Sequence, residues 1–312
     1  MTHRLVDWRS VFVAVAAIVL FGRPLTAQGL YARDAAKQPG ATTWLRELAA
    51  LPPFDPPRTR DGKPDLRGSW SGPNGGDDIE EHPYVDVSSP PEETYISDPP
   101  GGKIPYQPWA LAQRNEIRAG LARGWPGEKD RLYTDPQTFC LYSTPRATTR
   151  GGFDILQGAD YVVMYFNFGH YYRMIPTGGR PHVGEDIKLW MGDSVGRWEG
   201  DTLVIDVTSL NGRNWLDQVG NFFSEHAHVV ERLRLADANT IDYEVTIDDP
   251  SVFTRPWKMR LPMKRVARRG NDPYERESWE NACFEGNGKD TEHVRALGFQ
   301  WFPGVVPPEI TK

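Results

Sequence analysis

The densest run of chemistry-bearing side chains in this sequence is Ser224 to Arg232, SEHAHVVER. Two imidazoles, two carboxylates and a hydroxyl follow one another there, the residue types that carry proton transfer. Read as one continuous strand, the run puts His226 and His228 on one face and Glu225 and Glu231 on the other, beside Val229 and Leu233. A carboxyl on an otherwise apolar face is raised in pKa by desolvation unless it meets a cation, and is then a candidate acid or base. Glu225, His228 and Glu231 are therefore the candidate catalytic residues. Arg173 and Arg213 are the candidate cations, suited to an anionic or carbonyl group of a substrate, and Asp217 is a candidate orienting partner. His182, Trp215 and Trp257 complete the substrate-binding set, because aromatic side chains suit a cavity for flat or apolar molecules. A solvated strand with a structural Glu–Arg pair is the alternative reading of the same residues.

The run also admits a metal reading. His226 and His228, with Glu231 and a distant His182 or His170, would supply imidazole and carboxylate ligands. The spacing is loose, and neither a metal nor a cofactor is assigned. Gly178-Gly179-Arg180 lacks the Gly-Lys-Ser/Thr ending of a phosphate loop. Ser224 has no Gly-x-Ser-x-Gly elbow around it. Asp248-Asp249-Pro250 reads as a strand-ending turn, since Asp caps turns and Pro stops ladders.

These residues need a scaffold, and the sequence describes one. In Gly192 to Thr208, GDSVGRWEGDTLVIDVT, a hairpin turns at Glu199-Gly200-Asp201. Leu203, Ile205 and Val207 then alternate with Thr202, Val204, Asp206 and Thr208, as in a half-buried antiparallel strand. Strands are expected over 161–168, 171–175, 188–191, 195–198, 226–235, 240–248, 257–264 and 274–280, with a first one opening at Arg67-Gly68-Ser69-Trp70. The fold class is mainly β: a single antiparallel meander closing into a lipocalin-like barrel over residues 67–312. Residues 28–66 form an extension with a helix over 42–51, capped by Thr and ended by Pro52-Pro53. A polar loop is expected over 73–103, its acidic cluster at Asp77 to Glu81 solvated. A second helix spans 108–122, with Leu111, Ile117 and Leu121 on its apolar face.

The first 27 residues read as a cleavable signal: Arg4 and Arg9, an apolar run from Val11 to Phe21, and Leu25-Thr26-Ala27 at the cut. That run is shorter than the ~20 residues of a membrane span. A periplasmic or secreted protein is expected, with no membrane insertion after cleavage. The whole chain of 312 residues carries a net charge of −6. Removal of 1–27 leaves 33 basic against 41 acidic side chains, a net of −8, which argues against a nucleic-acid partner. The two cysteines, Cys140 and Cys283, are expected to pair in an oxidising compartment. Such a bridge would close a long loop, worth ~4–5 kcal/mol in the chain-entropy model.

Gly68-x-Trp70 resembles the Gly-x-Trp strand opening of lipocalin-like proteins. From Arg173 onward the chain resembles a family of secreted bacterial proteins. The features that carry this are Arg180-Pro181-His182, the Gly192 to Leu203 run, Trp215-Leu-Asp217, Ser224-Glu225, His228, Glu231-Arg232, Thr246-Ile-Asp-Asp-Pro250 and Pro256-Trp257, with Asp135-Pro136 to Arg146 upstream. The chain departs from that pattern at Phe284 and at Asn221-Phe222-Phe223, where histidines are common. The resemblance implies export and names no reaction. The function expected from the residues is cofactor-independent acid–base chemistry (isomerase, lyase or hydrolase) on a small apolar, aromatic or glycosidic molecule. A non-catalytic periplasmic small-molecule-binding protein and a metal-dependent enzyme using His226 and His228 are the alternatives. A structural protein of the envelope, with no pocket, is a third.

Overall fold

The structure is a computed structural model of the chain. It describes residues 40–72, 78–80, 94–121, 133–149, 151–266, 296 and 300–308. The expected signal segment 1–27, Cys283, Phe284 and the strand expected over 274–280 lie outside the described residues.

In chain order the elements are α1 (Ala41–Ala50), β1 (Gly68–Ser71), β2 (Ile96–Asp98), α2 (Pro108–Leu121), β3 (Tyr133–Thr134), a 3-10 turn (Pro136–Phe139), α3 (Arg146–Thr149), β4 (Gly152–Gln157), β5 (Tyr161–Phe166) and β6 (Tyr172–Pro176). They continue with β7 (Asp193–Glu199), β8 (Thr202–Thr208), β9 (His228–Asp237), β10 (Thr240–Asp248), β11 (Trp257–Arg265) and β12 (Gln300–Trp301). Nine strands run β6-β5-β4-β1-β11-β10-β9-β8-β7 in one antiparallel sheet, and β2 adds to β11. The sheet curls until its two ends, β6 and β7, meet, so the fold is a nearly closed barrel. Two meanders, β4 to β6 and β7 to β11, are stitched together by β1, which pairs with both β4 and β11.

Register fixes the inner face. Leu203 pairs with Leu233 and Ile205 with Glu231. Val245 pairs with Glu231 and with Met259, and Tyr243 with Leu233 and Leu261. Trp70 pairs with Phe153, Phe153 with Phe166, and Met164 with Arg173. These positions are buried at every strand, so the alternation expected over 202–208 and 240–248 is the alternation of the barrel wall. Among the inward positions, Arg173, Ser194, Glu231 and Tyr243 break the apolar lining.

Trp70 closes the stitch. It is fully buried, donates from Nε1 to the Leu66 carbonyl at 2.8 Å, and carries the Arg265 guanidinium 4.1 Å above its ring. Trp70→Phe removes the donor and leaves that carbonyl unmatched. The expected loss is about 1–3 kcal/mol of unfolding free energy, read by urea denaturation.

Helix α1 lies outside the wall, while α3 reaches the inward Glu231 through Thr148. On α1, Trp44 donates to Asp242 Oδ1 at 3.0 Å, and Arg260 clamps the same carboxylate at 2.9 and 2.7 Å. No side chain caps α1, whose N-cap is Gly40, so Thr42 lies inside the helix rather than at its cap. On α2 the buried face is Ala110, Arg114 and Ile117, while Leu111 is 44% exposed. Arg114 is buried on that face paired with Glu80. Asp78 and Glu80 are accordingly buried and paired, with Arg118 and Arg114, instead of solvated. Of the expected strand over 188–191, only a single bridge between Leu189 and Leu210 forms. The sequence reading passed over β2 and β4.

Candidate functional site

Glu231 sits mid-way along β9 and is fully buried between Val229 and Leu233 on the inward face. Arg173, inward on β6, meets one carboxylate oxygen through Nη2. The Tyr243 hydroxyl donates to the other, and Thr148 Oγ1 stands 3.4 Å from the same oxygen. Every group facing Glu231 is a donor, the partner set a carboxylate takes. Arg173 also donates from Nε to Ser194 Oγ at 2.7 Å. Its remaining nitrogen, Nη1, is buried and has no hydrogen-bond partner among the described residues. Burial, and then the charge of Glu231, push the Tyr243 phenol well above its ordinary pKa, so it stays a proton donor.

The expected cation for Glu231 is therefore Arg173. Arg213 is exposed in the 209–227 loop and does not take part. Trp257 also faces the barrel interior, edge-on to Phe253 at 5.6 Å, and its indole N–H is unpartnered too. Trp215 is buried near the chain end, 5.8 Å from Phe302 between ring centres, with its backbone N–H bonded to Asn214.

The expected trio of Glu225, His228 and Glu231 is not one constellation. Ser224 is held by Asp249, which accepts from its N–H at 2.6 Å and from its hydroxyl at 3.1 Å. Ser224 in turn accepts from the N–H groups of His226 and Ala227. That turn delays the strand until His228. Glu225 is exposed in the turn beside Lys188, at 3.8 Å, and His226 is exposed with it. His228 points outward.

On the outer wall His228 joins a chain of charges. His228 Nε2 lies 3.1 Å from Asp206 Oδ1, and His182 Nε2 lies 3.0 Å from the same oxygen. His182 Nδ1 lies 2.8 Å from Asp193 Oδ2, and Arg180 clamps Asp193 at 2.5 and 3.1 Å. Burial alone would raise the Asp193 carboxyl; hydrogen bonds from Arg180, His182 and the Val183 N–H outweigh it and hold the pKa at about 2. Among the described residues, no group of three or more His, Cys, Asp or Glu side chains is arranged to hold a metal ion.

A third cluster packs one end of the barrel. Asp217 is fully buried and accepts from the N–H groups of Ile79, Val219 and Asn221 and from Asn221 Nδ2. Asn221 Oδ1 accepts from the Tyr106 hydroxyl at 3.1 Å and Arg114 Nε at 2.9 Å. Asp217 thus pins a structural strap, with no contact to Glu231. Phe222 and Phe223 are buried in the same plug.

No protein-family model matches the chain, and a search of curated proteins finds no match.

Proposed function

We propose that the chain is an exported barrel that binds a small apolar or aromatic molecule, taking a carboxylate or carbonyl oxygen of it on Arg173. One observation carries this: a buried guanidinium whose Nε and Nη2 are fixed by Ser194 and Glu231 while Nη1 has no partner among the described residues. A buried donor left unmade costs about 1–3 kcal/mol, more when charged. Such a group asks for an acceptor, and a guanidinium is the side chain that best takes an oxyanion. The unpartnered Trp257 N–H on the same inner wall supports a polar, asymmetric ligand. Glu231 and Ser194 orient the guanidinium, and the aromatic and aliphatic lining would take the rest of the molecule. Export rests on the N-terminal reading and on the resemblance to secreted bacterial proteins. A Cys140–Cys283 bridge belongs to the same proposal.

Acid–base turnover is the second reading. The Tyr243 phenol, held as a donor against Glu231, favours it, since a ligand oxygen on Arg173 would lie beside a proton source. Glu225 and His228 have no place in that chemistry.

The test is native mass spectrometry of protein purified from an exporting host. The expected spectrum shows a small-molecule adduct in the wild type that is absent from a folded Arg173→Met/Glu231→Met variant. A mass two hydrogens below the reduced chain would report the disulfide. Bare spectra, together with no binding of the anionic dye anilinonaphthalene sulfonate or of long-chain fatty acids, would sink the binding reading. An adduct converted to product by the wild type and left unconverted by Tyr243→Phe would make the barrel an enzyme.

A further inference from the structure

Arg173 faces the inside of a wall of hydrogen-bonded strands, and among the described residues that wall has one break. Every neighbouring pair along the nine-strand path is laddered, but among the described residues no backbone hydrogen bond joins β6 to β7. Among the described residues, two close approaches cross this seam. One is Arg173 Nε on Ser194 Oγ at 2.7 Å, so the proposed ligand-binding side chain itself spans the gap. The other is Gly196 against Ile175 and Thr177. A methyl group at position 196 would stand 2.8 Å from Ile175 Cγ2 and 2.9 Å from Thr177 Cγ2, closer than packed atoms come. Glycine there lets the two edges touch.

The loop between these strands, 177–192, is mostly exposed, with every residue from Gly184 to Leu189 on the surface. Its first half is fastened by Arg180 and His182. Arg180 and the Val183 N–H grip Asp193, the first residue of β7. His182 reaches from Asp193 across to Asp206 on β8. The groups facing His182 are thus two carboxylates. Arg180 stands behind Asp193, and His228 of β9 shares Asp206 Oδ1. Asp248 of β10 lies beside His228 in register. Both His182 contacts are hydrogen bonds only while both ring nitrogens carry protons; with one proton gone, a lone pair faces a carboxylate.

We propose that the β6–β7 seam is the ligand entrance and that His182, bridging Asp193 and Asp206, is a clasp that holds it shut. This rests on the binding reading for the entrance, while the clasp stands on the seam geometry alone. Without the His182 bridge the loop keeps its hold on Asp193 through Arg180 and Val183 but loses its tie to Asp206, and the edges part more readily where no ladder binds them.

Hydrogen exchange on the full chain without ligand tests the clasp. Amides of β6 and β7 should exchange about tenfold faster in His182→Ala than in wild type, the factor carried by one hydrogen bond to a charged group. Amides of β10 should not change. Gly196→Ala, which wedges the seam without touching a charge, should also give fast exchange in β6 and β7. Stopped-flow binding of anilinonaphthalene sulfonate should speed up in parallel, with its Kd little changed. If His182→Ala leaves β6 and β7 unmoved, or moves all strands alike, the clasp is overturned even where the dye binds. If the clasp behaves as stated but the dye binds neither wild type nor variants, the entrance falls together with the binding reading.

Discussion

Arg173→Met should lower the unfolding free energy by about 3–5 kcal/mol, the cost of leaving one member of a buried ion pair without its partner. Glu231 is fully buried, and its other contacts, Tyr243 and Thr148, are neutral hydroxyls that offset only part of the missing charge. Adding Glu231→Met should restore much of the loss, because two well-packed apolar side chains in place of a buried pair are often neutral or stabilising. Tyr243 is then left without its acceptor, at about 1–3 kcal/mol, and Tyr243→Phe removes that penalty as well. The triple variant is therefore expected to be close to the wild type in urea denaturation, and to bind nothing. That combination separates the two reasons for a polar centre in an apolar barrel. If the pair exists for stability, the triple variant falls below every single one. If it exists to receive a ligand, stability is recovered and binding is lost. A cost below about 1 kcal/mol for Arg173→Met alone would show that the guanidinium is already hydrated, and the argument from its unpartnered nitrogen would fail.

The inward place of Glu231 was legible in the sequence because Val229 and Leu233 flank it at period two, and Arg173 was legible as a cation able to reach it. The other partners were not. Tyr243 is a diagonal neighbour across β9 and β10, and local alternation carries no cross-strand register. Thr148 arrives from α3, and its contact depends on how residues 133–149 cover the barrel. The error at Glu225 has a definite cause. Ser224 and Asp249 build a hydrogen-bonded turn that resets the alternation, so a face counted through residues 225–231 is counted through a bend. The stitch made by β1 is invisible for a related reason: a four-residue strand joins partners near residues 154 and 265, and nothing in its composition names them. On the outer wall, the outward place of Asp206 could be read from the strand. Its meeting with His182 and His228 needed the path of the 177–192 loop.

Asp217 gives the second large effect, one of pH. Burial first, and then the nearby charge of Asp78, raise its carboxyl from an ordinary 3.8 to about 7, against the pull of the Asn221 and Ile79 donors. In the folded chain the proton is kept up to about pH 7, while in the unfolded chain it leaves near pH 3.8. Between these values the native state binds more protons, so stability falls as pH rises and levels off above about 7. A shift of about three units corresponds to roughly 4 kcal/mol between the two plateaus. Asp249, also raised by burial, adds in the same direction. Asp193 works the other way: held at about 2, it stabilises above 3.8 and loses that contribution as pH falls through 2. Stability should therefore be greatest at mildly acid pH and decline toward neutrality. In Asp217→Asn the slope between pH 4 and 7 should flatten, whatever the variant's absolute stability. In Asp78→Asn the midpoint of the slope should move down in pH, since a like charge is removed. Urea midpoints across that range decide the matter, and an unchanged slope in Asp217→Asn would mean that the four donors around the carboxylate, not its burial, set its protonation.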